Sequence, residues 1–267
     1  MTFLHDLFPG GKKYAVTMSY DDTSLELNEK LIGIFNKYGI KGTFHLNGCG
    51  LESQNPDIGH FREVYFGHEI SCHTYSHPLI GKMPRESILE EILRDRLMLE
   101  KYAGYPVRGM SYPCGSIPEK YLDVLRACGI EYSRTNNKAG GLFTLPDDFL
   151  HWTATCHHSG GINNQLEKLL SDANGPRLLY IWGHAHELPR TEITFETIEN
   201  FCRAAAEHSD KIWFATNIEI KDYVDAQHSV RYSLDGSAAY NPSCISVWAT
   251  RGGKAVEIKP GMNEFEN

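Results

Sequence analysis

The stretch Lys13-Tyr14-Ala15-Val16-Thr17-Met18-Ser19-Tyr20-Asp21-Asp22-Thr23-Ser24 decides how the rest of the chain reads. From Lys13 to Ser19 it alternates and is β-branched enough for a strand, and the strand runs out at two adjacent carboxylates. Thr23-Ser24 can cap the helix that follows, in which Leu27, Leu31, Ile34 and Phe35 recur at helical spacing up to Gly39. Strand, polar end and amphipathic helix together form the first half of a βαβ unit.

Working outward, the pattern repeats. Thr43–Leu46 and Glu69–Cys72 read as strands, and Pro84–Tyr102 as a helix with Ile88, Ile92, Leu93, Leu97 and Leu99 on its apolar side and Gly104 at its end. Its many charges read as a solvated face. Val107–Ser111, Ile130–Arg134, Leu178–Trp182 and Ile212–Ala215 are further strands; helices open at Pro118 and Thr194. Roughly seven such units between residues 13 and 226 predict an α/β fold with parallel strands curled into a barrel. From 227 to 267 short antiparallel strands joined by Gly/Asn/Pro turns predict a small β appendage, so the chain divides at 226/227.

Composition narrows the function. With 41% apolar and 22% charged residues the 267-residue chain is ordinary for a globular protein, and a net charge of -8 argues against nucleic acid and anionic membranes as partners. No run of apolar residues is long enough to span a bilayer. Met1–Gly11 lacks the basic-then-apolar pattern of a secretory leader, and the seven cysteines are scattered without a Cys-x-x-Cys pair. The expectation is a cytoplasmic protein with reduced thiols.

Four short segments carry chemistry. Asp21-Asp22 stands at the carboxyl end of the first strand, where α/β barrels build their sites, and neighbouring carboxylates repel unless a cation is close. In His73-Thr74-Tyr75-Ser76-His77-Pro78 two histidines four apart fit one face of a helical turn and one shared metal. With 13 histidines in the chain a close pair alone is moderate evidence, and His157-His158 or His184/His186 compete with it. One carboxylate plus two imidazoles is nevertheless a recognised ligand set that leaves room for water, and a second carboxylate nearby can act as base. Met110-Ser111-Tyr112-Pro113-Cys114-Gly115 offers a turn whose backbone N–H can face an oxyanion. Tyr180-Ile181-Trp182-Gly183-His184-Ala185-His186-Glu187 ends a strand in a histidine.

These motifs, in this order, resemble the polysaccharide deacetylase family (carbohydrate esterase family 4), as a variant subgroup with Trp182-Gly183-His184 where Leu-x-His is commoner. The resemblance covers roughly residues 13 to 220. It implies a distorted (β/α) barrel of about seven strands. It further implies Asp21 as base, Asp22, His73 and His77 as metal ligands, and Thr74 as the hydroxyl supporting the histidine loop. The Cys114 N–H would be the oxyanion donor and His184 the general acid. Zinc is the first expectation for the ion, with cobalt or nickel fitting the same donors. The reaction implied is hydrolytic removal of an N-acetyl group from an amino sugar or oligosaccharide by metal-activated water.

Two departures are visible. Ser111-Tyr112 occupy the place where the family has an arginine that orients the base, so Arg108 or Tyr112 substitutes or Asp21 is held differently. For the aspartate and tryptophan that steer the acid and shape the pocket, Asp147, Asp148 and Trp152 lie in the right stretch. Two rival readings stand beside this one. A different metal amidohydrolase acting on a small non-sugar amide would use His184 and His186 as ligands, since i and i+2 residues share a strand face. A carbohydrate-binding relative without catalysis would use aromatic stacking.

Overall fold

The computed structural model describes residues 2–136, 142–172, 174–190 and 192–266. The chain begins with a two-residue strand, β1 (Phe3–Leu4), and then enters the sheet with β2 (Tyr14–Asp21), buried along its whole length. Helix α1 (Leu25–Tyr38) ends on Gly39 in the left-handed conformation. Strands β3 (Gly42–Leu46) and β4 (Glu69–Cys72) are separated by the short helices α2 (Gly48–Gln54) and α3 (Ile58–Val64). Helix α4 (Arg85–Ala103), β5 (Gly109–Ser111), α5 (Leu122–Ala127) and β6 (Tyr132–Thr135) follow, then β7 (Trp152–Thr153) and β8 (Cys156–His157). Helix α6 (Ile162–Ser171), β9 (Arg177–His184), α7 (Phe195–Ala206), β10 (Ile212–Phe214) and α8 (Asn217–Ser229) complete the α/β part.

All ladders in this part are parallel, in the order β7-β6-β5-β4-β3-β2-β9-β8. β10 joins the first half of β2, at Tyr14 to Val16, while β3 takes the second half from Met18 onward. The segment 152–157 pairs with β6 at its start and with β9 at its end, so one stretch of chain links the two sides of the curled sheet. The result is the distorted (β/α) barrel expected from the sequence.

Period-two alternation sorts the strand residues into two chemically different faces. Val16, Met18 and Tyr20 of β2, with Phe44, Ile70, Met110 and Ile181, join the main apolar cluster with Leu31 and Phe35 of α1 and Ile88 and Ile92 of α4. The intervening residues are mostly polar and equally buried: Thr17, Ser19 and Asp21; Thr43 and His45; Glu69, Ser71 and His73; Ser111; Arg134. They are satisfied largely by one another. Glu69 accepts from Tyr132, Thr43 and the Ile218 N–H, and Asn217 accepts from Thr17, so the start of α8 closes one end of the barrel.

The C-terminal region carries β11 (Arg231–Tyr232), β12 (Ala238–Asn241), β13 (Val247–Arg251), β14 (Lys254–Ile258) and β15 (Gly261–Glu264), antiparallel throughout. They form two three-stranded sheets, β1-β13-β14 and β11-β12-β15. The 226/227 division read from the sequence falls inside α8. Ile220, Tyr223 and Val224 of that helix pack under the barrel, whereas Ala226 and Val230 pack with Val247, Ala249 and Ile258. The pairing of Phe3–Leu4 with β13 also gives the first residues of the chain to the appendage.

Candidate metal and catalytic site

Register places the first chemical groups. Asp21, last residue of β2, stands opposite His45 of β3 on one side and His184 of β9 on the other. All three lie at the carboxyl ends of parallel strands, where loops rather than backbone ladders surround a ligand. The next residue, Asp22, turns away through a left-handed conformation (φ 70°). Thr74 (φ 60°), His77 (φ 59°) and Cys114 (φ 52°) are in the same region, which costs a side chain of this kind of order 1 kcal/mol or more. Three of the five non-glycine residues with positive φ among the described residues, Asp22, Thr74 and His77, are thus ligand candidates or stand between them.

The histidine segment is not the helical turn expected from its spacing. It is an irregular loop in which two left-handed residues bring the His73 and His77 rings to 4.8 Å between centroids. Asn47 holds this loop by donating to the His73 and Thr74 carbonyls, and the buried Asp95 of α4 accepts from the His73 and Gly48 N–H groups. Burial pushes the Asp95 carboxyl well above the usual range. The Thr74 hydroxyl is buried and has no partner among the described residues, and Asn47 and Asp95 hold the loop in the role that the resemblance implied for Thr74.

Nδ1 of His73 lies 3.0 Å from the Ser111 carbonyl and 2.7 Å from its Oγ. A proton on Nδ1 satisfies the carbonyl and leaves the Nε2 lone pair pointing outward. That Nε2 is 3.8 Å from Oδ1 of Asp22, and Nε2 of His77 is 3.9 Å from the same oxygen. One ligand atom from each of Asp22, His73 and His77 lies within 4.8 Å of the others. This donor set, with one imidazole fixed by its second nitrogen, fits a divalent transition-metal ion.

Asp21 sits beside this group, not in it. Ser111 Oγ donates to its Oδ1 at 3.1 Å, Nδ1 of His45 is 3.4 Å from the same oxygen, and the Arg134 guanidinium donates to Oδ2. Burial alone would raise the Asp21 carboxyl. Arg134, and after it His73 and His45, outweigh that and hold it well below its ordinary value. Burial brings His45 down to about 4, so this ring is neutral. Arg134 also stacks over Trp182 at 4.4 Å, and Trp182 meets His184 edge-on at 5.5 Å. The turn carrying Cys114 closes by bonds from the Gly115 N–H to the Tyr112 carbonyl and from the Ser116 N–H to that of Pro113, both 2.9 Å. Gly115 is required there: its φ is +67° and a Cβ would lie 1.8 Å from the Asn136 side chain.

Residues 9–133 match the profile of the polysaccharide deacetylase family. The match covers just under half of the chain. Among curated proteins it is 32% identical over 111 residues to a peptidoglycan-N-acetylglucosamine deacetylase of Bacillus cereus, covering 41% of this chain and 40% of that protein. It is 27% identical over 144 residues to chitin deacetylase 1 of Cryptococcus neoformans, covering 54% and 29%. The chain thus spans well under half of the length of these relatives. A structure of a polysaccharide deacetylase from Mycobacterium smegmatis, so described with the qualifier "putative", superposes with a TM-score of 0.64 at 18% identity over 85% of this chain and 96% of that one, which speaks to the fold.

The resemblance left open what orients the base and which aspartate and tryptophan serve His184 and the pocket, and of the alternatives for the base it is the different holding of Asp21 that the structure shows. Arg108 is not beside the base: β5 starts one residue later, so Arg108 lies at the opposite end of the barrel, bonded to Glu131 and Asp222. Tyr112 does not substitute either, since its hydroxyl donates to the Leu150 carbonyl. The arginine comes from the next strand, as Arg134, whose neighbour in register is Ser111. The carboxylate facing Nδ1 of His184 is that of Glu187, at 3.2 Å, and not Asp147 or Asp148. Asp148 instead caps Leu150 and pairs with His151, while Asp147 lines a cleft with Arg126, Glu131 and Lys221. Trp152 is 1% exposed and packs against Tyr132, Phe149 and Tyr180, which makes it a core residue and not a pocket wall. His186, on the turn that follows β9, approaches Asp22 with Nδ1 3.9 Å from Oδ2, and its ring lies 5.1 Å from that of His184.

Proposed function

We propose that this chain removes the acetyl group from an N-acetylated amino sugar or short oligosaccharide by hydrolysis of the amide. The observation that carries the reading is the register of β2 and β9, which sets a paired carboxylate, Asp21, against a histidine, His184, with Asp22, His73 and His77 alongside. The names of the relatives, peptidoglycan-N-acetylglucosamine and chitin deacetylases, support an N-acetylhexosamine as the class of substrate.

A divalent ion held by Asp22, His73 and His77, zinc by preference with cobalt or nickel suited to the same donors, would supply Lewis-acid polarisation of the acetamide carbonyl and of the attacking water. The side chains supply the rest. Asp21, kept ionised by Arg134 and aimed by Ser111, takes a proton from the water as it adds to the carbonyl carbon. The oxygen of that carbonyl gains charge, which the Cys114 N–H on its left-handed turn can face; one such donor is worth about 3 kcal/mol. His184, oriented by Glu187, gives a proton to the amine nitrogen as the carbon–nitrogen bond breaks. The products are acetate and a free amine.

The test is acetate release from N-acetylglucosamine oligomers by zinc-loaded protein, with metal content measured alongside. His77→Ala should lose activity and the ion held by Asp22, His73 and His77, whereas His186→Ala should keep that ion. Acetate release by His77→Ala at the wild-type rate would refute the ligand set, and loss of the ion in His186→Ala would favour the rival in which that histidine is a ligand. A wild-type protein that binds the ion and sugar without releasing acetate would favour the non-catalytic reading. A mutant of a CE4 family pseudoenzyme, described as having restored enzymatic activity, shares this fold at a TM-score of 0.55 and 15% identity.

A further inference from the structure

The histidine pair that the proposed reaction leaves unused, His157-His158, meets Glu187 in a second compact donor group. Oε2 of Glu187 lies 2.8 Å from Nε2 of His158 and 3.1 Å from Nε2 of His157. One ligand atom from each of the three lies within 4.8 Å of the others. The two rings are 4.3 Å apart and meet edge to face, so adjacent residues turn the same nitrogen to one oxygen.

The placement is built into the fold. His158 is 1% exposed, and its backbone N–H is fixed to the Trp182 carbonyl at 2.7 Å. Its ring lies flat on β9 because residue 183 is glycine: a Cβ there would stand 2.3 Å from Nδ1 of His158. His157 is oriented by Ser159, whose Oγ is 2.8 Å from its Nδ1. The Ser159 N–H donates to that same nitrogen at 3.4 Å, and Nε2 is the nitrogen that His157 turns to Glu187. Access remains, because the His157 and Glu187 side chains are 15% and 28% exposed.

We propose that His157, His158 and Glu187 form a second binding site for a divalent transition-metal ion, distinct from the group at Asp22, His73 and His77. Two imidazoles and one carboxylate suit zinc, cobalt or nickel and not magnesium or calcium, which prefer oxygen. With metal–ligand bonds of about 2.0–2.2 Å, the three atoms need to separate by only a few tenths of an ångström to surround an ion. The two sites share an element: Oε1 of Glu187 faces His184 while Oε2 faces the proposed ion, so an occupant fixes the carboxylate that orients His184.

The experiment is zinc stoichiometry by equilibrium dialysis against chelator-buffered zinc, followed by elemental analysis of the full-length chain. Wild type should hold two ions. His157→Ala, at the partly exposed position, should hold one, and so should His77→Ala, whereas the double variant should hold none. Because a buried His158→Ala variant can fail to fold, His157→Ala is the primary probe, with thermal unfolding to verify its structure. A wild-type content of one ion that His77→Ala abolishes would overturn the second site, and so would two ions unaffected by His157→Ala. Neither result bears on acetate release, so failure here is separable from failure of the deacetylase reading.

Discussion

Asp21→Asn will lower kcat by on the order of 10²–10⁴, the range typical of a lost general base, while leaving the ion content of the Asp22, His73 and His77 group unchanged. The amide's one oxygen can keep the Arg134 guanidinium while its NH2 donates to Ser111 Oγ, so the side chain stays in place and proton acceptance is lost. Steady-state kinetics on an N-acetylated oligosaccharide, with metal analysis of the same sample, measure both. Turnover at the wild-type rate would remove Asp21 from the mechanism. Loss of the ion together with activity would make Asp21 a ligand instead of a base.

Arg134→Met is the second large effect, and its sign depends on pH. Asp21 is 3% exposed and Arg134 0%, so removing the guanidinium strands a buried carboxylate, a change that costs about 3–5 kcal/mol. In the wild type the Asp21 pKa is depressed on folding. Its stabilising contribution is therefore complete above the unfolded carboxyl value, about 3.9, and is lost as pH falls through the lower folded value. In the variant burial dominates and the carboxyl rises. The stability gap between the two proteins should be widest near neutral pH and narrow toward about pH 4 and below, by urea denaturation at several pH values. The acidic limb of kcat/KM should move to higher pH in the same variant, because the base then ionises later. A gap independent of pH would mean that Arg134 acts by packing on Trp182 alone.

Residues of this site differed in how far the sequence revealed them, for physical reasons. The β2 strand and its Asp21-Asp22 end were legible because alternation and an abrupt polar stop are local. The His73/His77 pairing was legible as spacing, but its backbone was misread: left-handed φ at Thr74 and His77 leaves no compositional trace in non-glycine residues. Arg134 was hidden by distance along the chain, since its meeting with Asp21 depends on register across β4, β5 and β6. A cation at the end of an otherwise buried strand was the signal available. Asp95 passed as one of many charges on α4, yet it falls in line with Ile88, Ile92 and Leu99 on the buried side of that helix. His45 was likewise in plain view, alternating with Phe44 and Leu46 in a strand whose other face is apolar. Glu187 stands only three residues after His184, whereas Asp147 and Asp148 lie in a loop whose path the sequence does not encode.

The central claim is that three side chains far apart in sequence share one ion with Asp21 next to it. Its most direct test is an anomalous-difference map from a crystal of the zinc-loaded protein. The account predicts a peak about 2.0–2.2 Å from an Asp22 oxygen and the two Nε2 atoms of His73 and His77, with the Asp21 carboxylate outside bonding distance and still on Arg134. A peak bonded to Asp21, or no peak at this group in protein shown to hold zinc, would contradict it.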